Sequence, residues 1–223
     1  MHSVSESAIS IDEGARTRRM QRTRAALVEH ARTLTARRGL AGFTVEELCE
    51  HVGVSRRTFF NYFASKEDAV LGNPPAALTP EDRDEFVAGG DRTGPGSSPA
   101  LLRDIARLAV ALFERNDFTR EQHRLRCEIV RSEPQLLARM MSLGESHQQD
   151  FAELIAAREG LSADDPFVRV TVRFVAGLIH DAVDEFFRTP DSPPFRDLLE
   201  RDIGCAQRLI EHPLDLDDPT GIR

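Results

Sequence analysis

The sequence predicts an all-α protein, with an N-terminal three-helix helix-turn-helix domain followed by a larger C-terminal helical bundle. Three observations carry this expectation. Apolar residues recur at three- and four-residue intervals over long stretches, and no segment alternates polar with apolar residues as a half-buried strand would. Residues 44–70, TVEELCEHVGVSRRTFFNYFASKEDAV, read as short helices joined by a glycine turn.

Residues 1–15 are polar and poorly periodic, and are expected to form a mobile tail. Met20, Thr23, Leu27, Ala31 and Leu34 then mark the buried stripe of a first helix over residues 17–38, ended by Gly39 and Gly42. Thr44 with Glu47 three residues on spells a capping box, which starts a second helix at Val45 and satisfies its first free amides. Val45, Leu48, Cys49 and Val52 form its buried stripe, and Gly53 suits the left-handed turn that follows. Ser55 caps a third helix over residues 56–63, and Ser65 opens a fourth with Lys66 in its first turn. Residues 72–99 are dense in Pro, Gly, Asp, Glu and Ser and read as a linker. Beyond them, helices are expected over residues 100–116, 119–131, 134–159, 166–188 and 194–211. Their breaks are marked by Thr119 with Gln122, by Pro134, by Gly160 and by Ser192 before two prolines. The expected domains are therefore 16–71 and 100–212, with a C-terminal tail at 213–223.

The third helix divides by face. Val54, Phe59 and Phe63 point toward a core, while Arg56, Arg57, Thr58, Asn61 and Tyr62 lie outward or at its edge. These outward types suit DNA: Arg bonds guanine bidentately, Asn does the same for adenine, and hydroxyls reach phosphates. A solvated basic face is the alternative, and the full arrangement of caps and turn favours recognition.

Residues 18–71 resemble the TetR family of bacterial transcription regulators, with GLAGFTVEEL, HVGVSRRTFFNYF and SKEDAVL in the order and spacing of that family's N-terminal domain. The resemblance implies that Thr44, Arg56, Arg57, Thr58, Phe60, Asn61, Tyr62 and Lys66 face DNA, together with Ser55 at the helix cap. It also implies a small core of Phe43, Leu48, Cys49, Val52, Phe59 and Phe63. Many relatives carry Tyr where this chain has Phe60, so here only apolar contact with a sugar or thymine methyl is expected.

Charge distribution agrees with that reading. The chain of 223 residues has a net charge of −8, which by itself argues against nucleic acid. The average hides a split, because residues 16–66 hold eleven Lys or Arg against four Glu, a net of +7, leaving −15 for the rest. Arg16, Arg18, Arg19, Arg22 and Arg24 crowd the start of the first helix, where each is either a phosphate contact or a solvated cation. The 3 cysteines, Cys49, Cys127 and Cys205, are scattered without CxxC spacing, which points to a reducing cytoplasm and away from a disulfide scaffold. No apolar run is long enough to span a membrane. GxSxG, P-loop, GxGxxG and HExxH motifs are absent, so no enzyme is expected.

For the C-terminal bundle, the family resemblance implies a small-molecule inducer inside it and a homodimer paired through its last two long helices. A dimer places two recognition helices in successive major grooves of a near-palindrome. Residues 123–140, HRLRCEIVRSEPQLLARM, resemble the mycofactocin-regulator branch, which implies an acyl-CoA-like effector. Arg120, Arg124, Arg126 and Arg131 are then candidates for its phosphates, and Leu112, Phe113, Ile129, Met140, Met141, Phe151, Phe174 and Leu178 for its acyl chain. The plainer alternatives are that these arginines pair with neighbouring acids and that the apolar residues are core. A metal-responsive regulator, using His123 with Cys127 or His180 with Asp181 and Asp184, and an activator of the same fold also stay open. No resident cofactor is expected.

Overall fold

The computed structural model describes residues 3–72, 78–90, 98–115 and 119–210. The described residues form helices and no strand. In chain order these are α1 (Ser3–Arg38), a 3-10 turn (Leu40–Gly42), α2 (Val45–Val52), α3 (Arg56–Phe60) and α4 (Lys66–Leu71). They continue with α5 (Pro80–Ala88), α6 (Leu101–Glu114), α7 (Arg120–Ser132), α8 (Pro134–Glu159), α9 (Pro166–Arg188) and α10 (Phe195–Ile210).

Three expectations about the elements change. The tail expected over residues 1–15 is helical from Ser3 onward, continuous with α1, so a lack of apolar periodicity there did not signal a lack of helix. The stretch expected as a linker contains α5, which opens with a capping box: Thr79 accepts from the Asp82 N–H, Asp82 accepts from the Thr79 N–H, and Pro80 takes the first turn. The rest of that linker, at residues 73–77 and 91–97, lies outside the described residues, as does the C-terminal tail. The helix expected over residues 56–63 ends its regular turns at Phe60.

The chain divides into two compact units. The first joins residues 1–74 with residues 121–144, so α7 and the start of α8, expected within the C-terminal bundle, belong with the N-terminal helices. Their packing explains it: Ile129, Val130 and Leu136 are buried in one core with Leu34, Leu40, Phe59 and Leu71. Specific polar ties reinforce this core. Glu133 accepts the Leu40 N–H at 2.8 Å, and Arg139 grips Asp68 at 2.7 and 3.1 Å. Arg32 is buried and donates to the carbonyls of Val70 and Leu71, the end of α4, at 2.9 and 3.0 Å. Burial pushes its guanidinium down to about 10.

The second unit comprises residues 75–120 and 145–223. One of its cores gathers Phe86, Leu101, Ile105, Leu154, Ile155 and Val168. Another gathers Val110, Ala182, Phe195, Leu198 and Leu199. Arg158 is wholly buried and fastens α5, donating to the Phe86 and Gly89 carbonyls and to Asp104 at 2.7 Å. Glycine is needed there, because a Cβ at Gly90 would come within 2.4 Å of the Arg158 carbonyl oxygen.

Candidate nucleic-acid interface

The local sequence sets the recognition geometry almost entirely through caps. Thr44 accepts the Glu47 N–H at 3.1 Å, and Glu47 returns the bond to the Thr44 N–H at 2.8 Å, fixing the start of α2. Gly53 ends α2 in the left-handed region at φ 74, and its N–H bonds back to Cys49 and Glu50. Ser55 then accepts the Thr58 N–H at 3.0 Å and starts α3. Phe59 and Phe63 anchor the inner face, being 0% and 5% exposed. Cys49 is buried on the inner face of α2 as a core residue, and burial pushes its thiol up.

The outward face carries Arg56, Arg57, Phe60 and Asn61, with Thr58 and Tyr62 half-buried at its edge. Arg56 pairs with Glu46 at 2.7 Å, but both side chains are more than half exposed, so the bridge is worth at most about 1 kcal/mol and yields readily to a base or phosphate. The Arg56 guanidinium also lies 5.5 Å from the Phe60 ring centre, and Phe60 meets Phe59 edge-on. The hydroxyls of Thr44 and Ser55 accept as helix caps, and the Ser55 hydroxyl also shares a hydrogen bond with that of Thr58 at 2.8 Å.

Lys66 is placed differently from the expectation. Its ammonium donates to the Leu40 carbonyl at 2.7 Å and the Phe43 carbonyl at 2.9 Å, and it lies 5.1 Å from the Phe43 ring centre. Two of its three donors are therefore held within the first unit. No sequence pattern links Lys66 to carbonyls more than twenty positions earlier.

The candidate effector residues are divided between the two units. Arg124, Ile129, Met140 and Met141 belong to the first unit, and Leu112, Phe113, Phe151, Phe174 and Leu178 to the second. Ile129 is core at 3% exposure, while Met140 and Met141 are exposed. Arg124 bonds Glu128 one turn along its helix, the plainer of its two expected roles. Arg120 anchors the end of α9 by donating to the Phe186 and Thr189 carbonyls. Phe113 stacks on Phe195 with ring centres 4.0 Å apart and lines an open cleft of about 500 Å³, the only one of the nine to do so. Phe151 lies beside Phe86, and Leu178 packs half-buried against the core beneath α10. Phe174 is exposed with Phe167 and Val170, one face of α9. The thiol of Cys127 lies 3.4 Å from a ring nitrogen of His123, yet no group of three metal-ligating residues gathers among the described residues.

A glycine-turned pair of short capped helices, with arginines and an asparagine facing out and aromatics facing in, defines a helix-turn-helix DNA-binding regulator. The model of the bacterial regulatory proteins of the tetR family matches residues 27–71, and that of the MftR C-terminal domain matches residues 101–208. The chain is similar to the HTH-type transcriptional regulator TcmR of Streptomyces glaucescens, with 35% identity over 159 residues, 69% of this chain and 68% of that one. It is also similar to the putative mycofactocin biosynthesis transcriptional regulator MftR of Mycobacterium tuberculosis (strain ATCC 25618 / H37Rv), with 25% identity over 156 residues, 70% of this chain and 75% of that one. The chain belongs to the tetR family, and its residues 101–208 are similar to the MftR C-terminal domain. Among the described residues no helix is long and apolar enough to cross a membrane.

Proposed function

We propose that this regulator is a cytoplasmic repressor that binds a near-palindromic operator as a homodimer and is released by a small apolar or acyl-CoA-like effector. The exposed face of α3 carries the reading most directly, since Arg57 is exposed and in no ion pair with a described residue. Arg56, Arg57 and Asn61 read base edges in the major groove, while Ser55, Thr58 and Tyr62 position the helix against the backbone. Pairing of α9 and α10 with a second copy is supported by the exposed Phe167, Val170 and Phe174, which recur at helical spacing on one face of α9. The acyl-CoA class rests on the match to the MftR C-terminal domain.

Selection of duplexes from a random pool by the purified protein tests the reading. Enrichment of an inverted repeat, with release on addition of a long-chain acyl-CoA, is the expected result. Arg57→Ala should weaken binding to the selected duplex by about 1–3 kcal/mol with the fold intact. An enriched site that Arg57→Ala binds as well as wild type removes Arg57 from the reading surface, and failure to enrich any sequence refutes the regulator reading itself.

A further inference from the structure

Five arginines crowd residues 16–24 in the middle of α1, and the structure separates them. Arg24 is committed inward, with its guanidinium 4.9 Å from the Phe63 ring centre. Arg18 and Arg22 are exposed. Arg16 and Arg19 share a helix face three residues apart and form one wall of a cleft of about 360 Å³. The opposite wall is made by Gly53, Ser55, Thr58 and Tyr62, the turn and outer edge of the recognition helix, and no carboxylate lines the space. Neither Arg16 nor Arg19 is in an ion pair with a described residue. The Ser55 and Thr58 hydroxyl oxygens lie 2.8 Å apart, so one donates to the other and leaves the second proton free to donate outward. Gly53 contributes by its lack of a side chain, since its φ of 74 disfavours any other residue.

We propose that this cleft is a phosphate seat on the operator backbone, in which Arg16 and Arg19 of α1 supply the charge and Ser55, Thr58 and Tyr62 supply hydroxyl donors. The inference rests on the DNA-binding reading above and extends it to two residues outside the helix-turn-helix. Two guanidiniums beside three hydroxyls, two of whose protons are free to donate outward, with no acid lining the space, suit a monoanionic oxyanion. The position, flanking the face that reads bases, is where a backbone phosphate runs when that face enters the major groove. Lys66 holds two of its donors on internal carbonyls, so α1 takes over the neutralisation next to α3. Phosphate contacts position the protein and carry no sequence information, so Arg16 and Arg19 contribute affinity and register, not specificity.

The test is the salt dependence of binding to two fluorescent duplexes, one selected by the wild-type protein from a random pool and one with that sequence scrambled. Each phosphate neutralised contributes roughly 0.9 to the slope of log affinity against log salt. Arg16→Ala/Arg19→Ala should reduce that slope by about 0.9 per protomer on both duplexes, with the midpoint of thermal unfolding unchanged. Arg16→Lys/Arg19→Lys should restore the slope. An unchanged slope, or a loss confined to the selected duplex, overturns the phosphate seat while leaving the regulator intact. Wild-type protein that binds neither duplex overturns both.

Discussion

Replacing Arg158 by Met probes the feature of the second unit that costs most to build. The guanidinium is fully buried, 4.7 Å from the Phe86 ring centre, and sits between Asp104 at 2.7 Å and Glu159 at 3.3 Å, the latter side chain only 2% exposed. Burial pushes the Asp104 carboxyl up, but hydrogen bonds from Arg158 and Arg103 outweigh it and hold the group below its usual range. Methionine fills the stem volume but removes the charge, leaving the carbonyls of Phe86 and Gly89 without this donor and two carboxylates without their buried counter-ion, though Asp104 keeps Arg103 and Glu159 keeps the Ser98 N–H and hydroxyl. Breaking a buried pair from one side costs about 3–5 kcal/mol. For a chain of this size each kilocalorie lowers the unfolding midpoint by about 2–4 °C, so a drop of roughly 6–20 °C is expected in calorimetry. Hydrogen exchange should localise the loss to α5, which Arg158 fastens at its C-terminal end. Adding Asp104→Asn and Glu159→Gln to Arg158→Met should recover part of the stability, because the stranded charges are then gone. A midpoint within about 2 °C of wild type would refute the account of Arg158 as the fastening of α5.

Lys66→Gln should destabilise the first unit by about 1.5–3 kcal/mol, the range for hydrogen bonds from a charged donor, and leave the salt slope of DNA binding unchanged; a reduced slope with normal stability would return Lys66 to the DNA surface. Asp82 is held well below the usual carboxylate range by hydrogen bonds from Arg115 and from the Thr79 N–H. A carboxyl depressed on folding stabilises above its unfolded value of about 3.9 and loses that contribution as pH falls toward its folded value. Thermal unfolding of Asp82→Asn should therefore be less stable than wild type at pH 7 and converge with it below about pH 4, and parallel curves would contradict this. Val170→Asp, at a position 67% exposed on α9, should yield folded monomers in sedimentation and weak operator binding; a persistent dimer would place the pairing face elsewhere. Leu178 is unsuitable for that test, because it packs into its own core.

What the sequence made legible was local. Thr44 with Glu47, Ser55 with Thr58 and Ser65 with Asp68 are all three-residue relationships, and all three caps form where they were expected. The Thr79–Asp82 box at α5 has the same form, but the density of proline around it masked it. The long-range ties were not legible. Lys66 to Phe43, Glu133 to Leu40 and Arg158 to Gly89 span from 23 to 93 positions, and nothing in the spacing of a lone Lys, Glu or Arg says which carbonyl or amide will meet it. The packing partners of residues 121–144 were not legible for a related reason. Periodicity tells which face of a helix is buried, but not that Ile129 and Val130 of α7 pack in one core with the N-terminal helices. For the effector residues the sequence is least decisive, since a stripe of Phe, Met and Leu describes a core and a binding cavity equally well.

Lys66 is the sole lysine in the chain, so ten of the eleven cations between residues 16 and 66 are arginines. Acetylation abolishes the charge of a lysine and has no purchase on a guanidinium. A regulator whose DNA surface relied on lysines would be open to being switched off by reactive acyl donors such as acyl phosphates or thioesters. Here that chemistry meets a single side-chain amine, which already holds two carbonyls, while the charge on the DNA face is carried by groups it does not touch. Under the proposed acyl-CoA reading, response to acyl metabolites is thereby left to non-covalent binding, and accidental acylation of the DNA face would not imitate the signal.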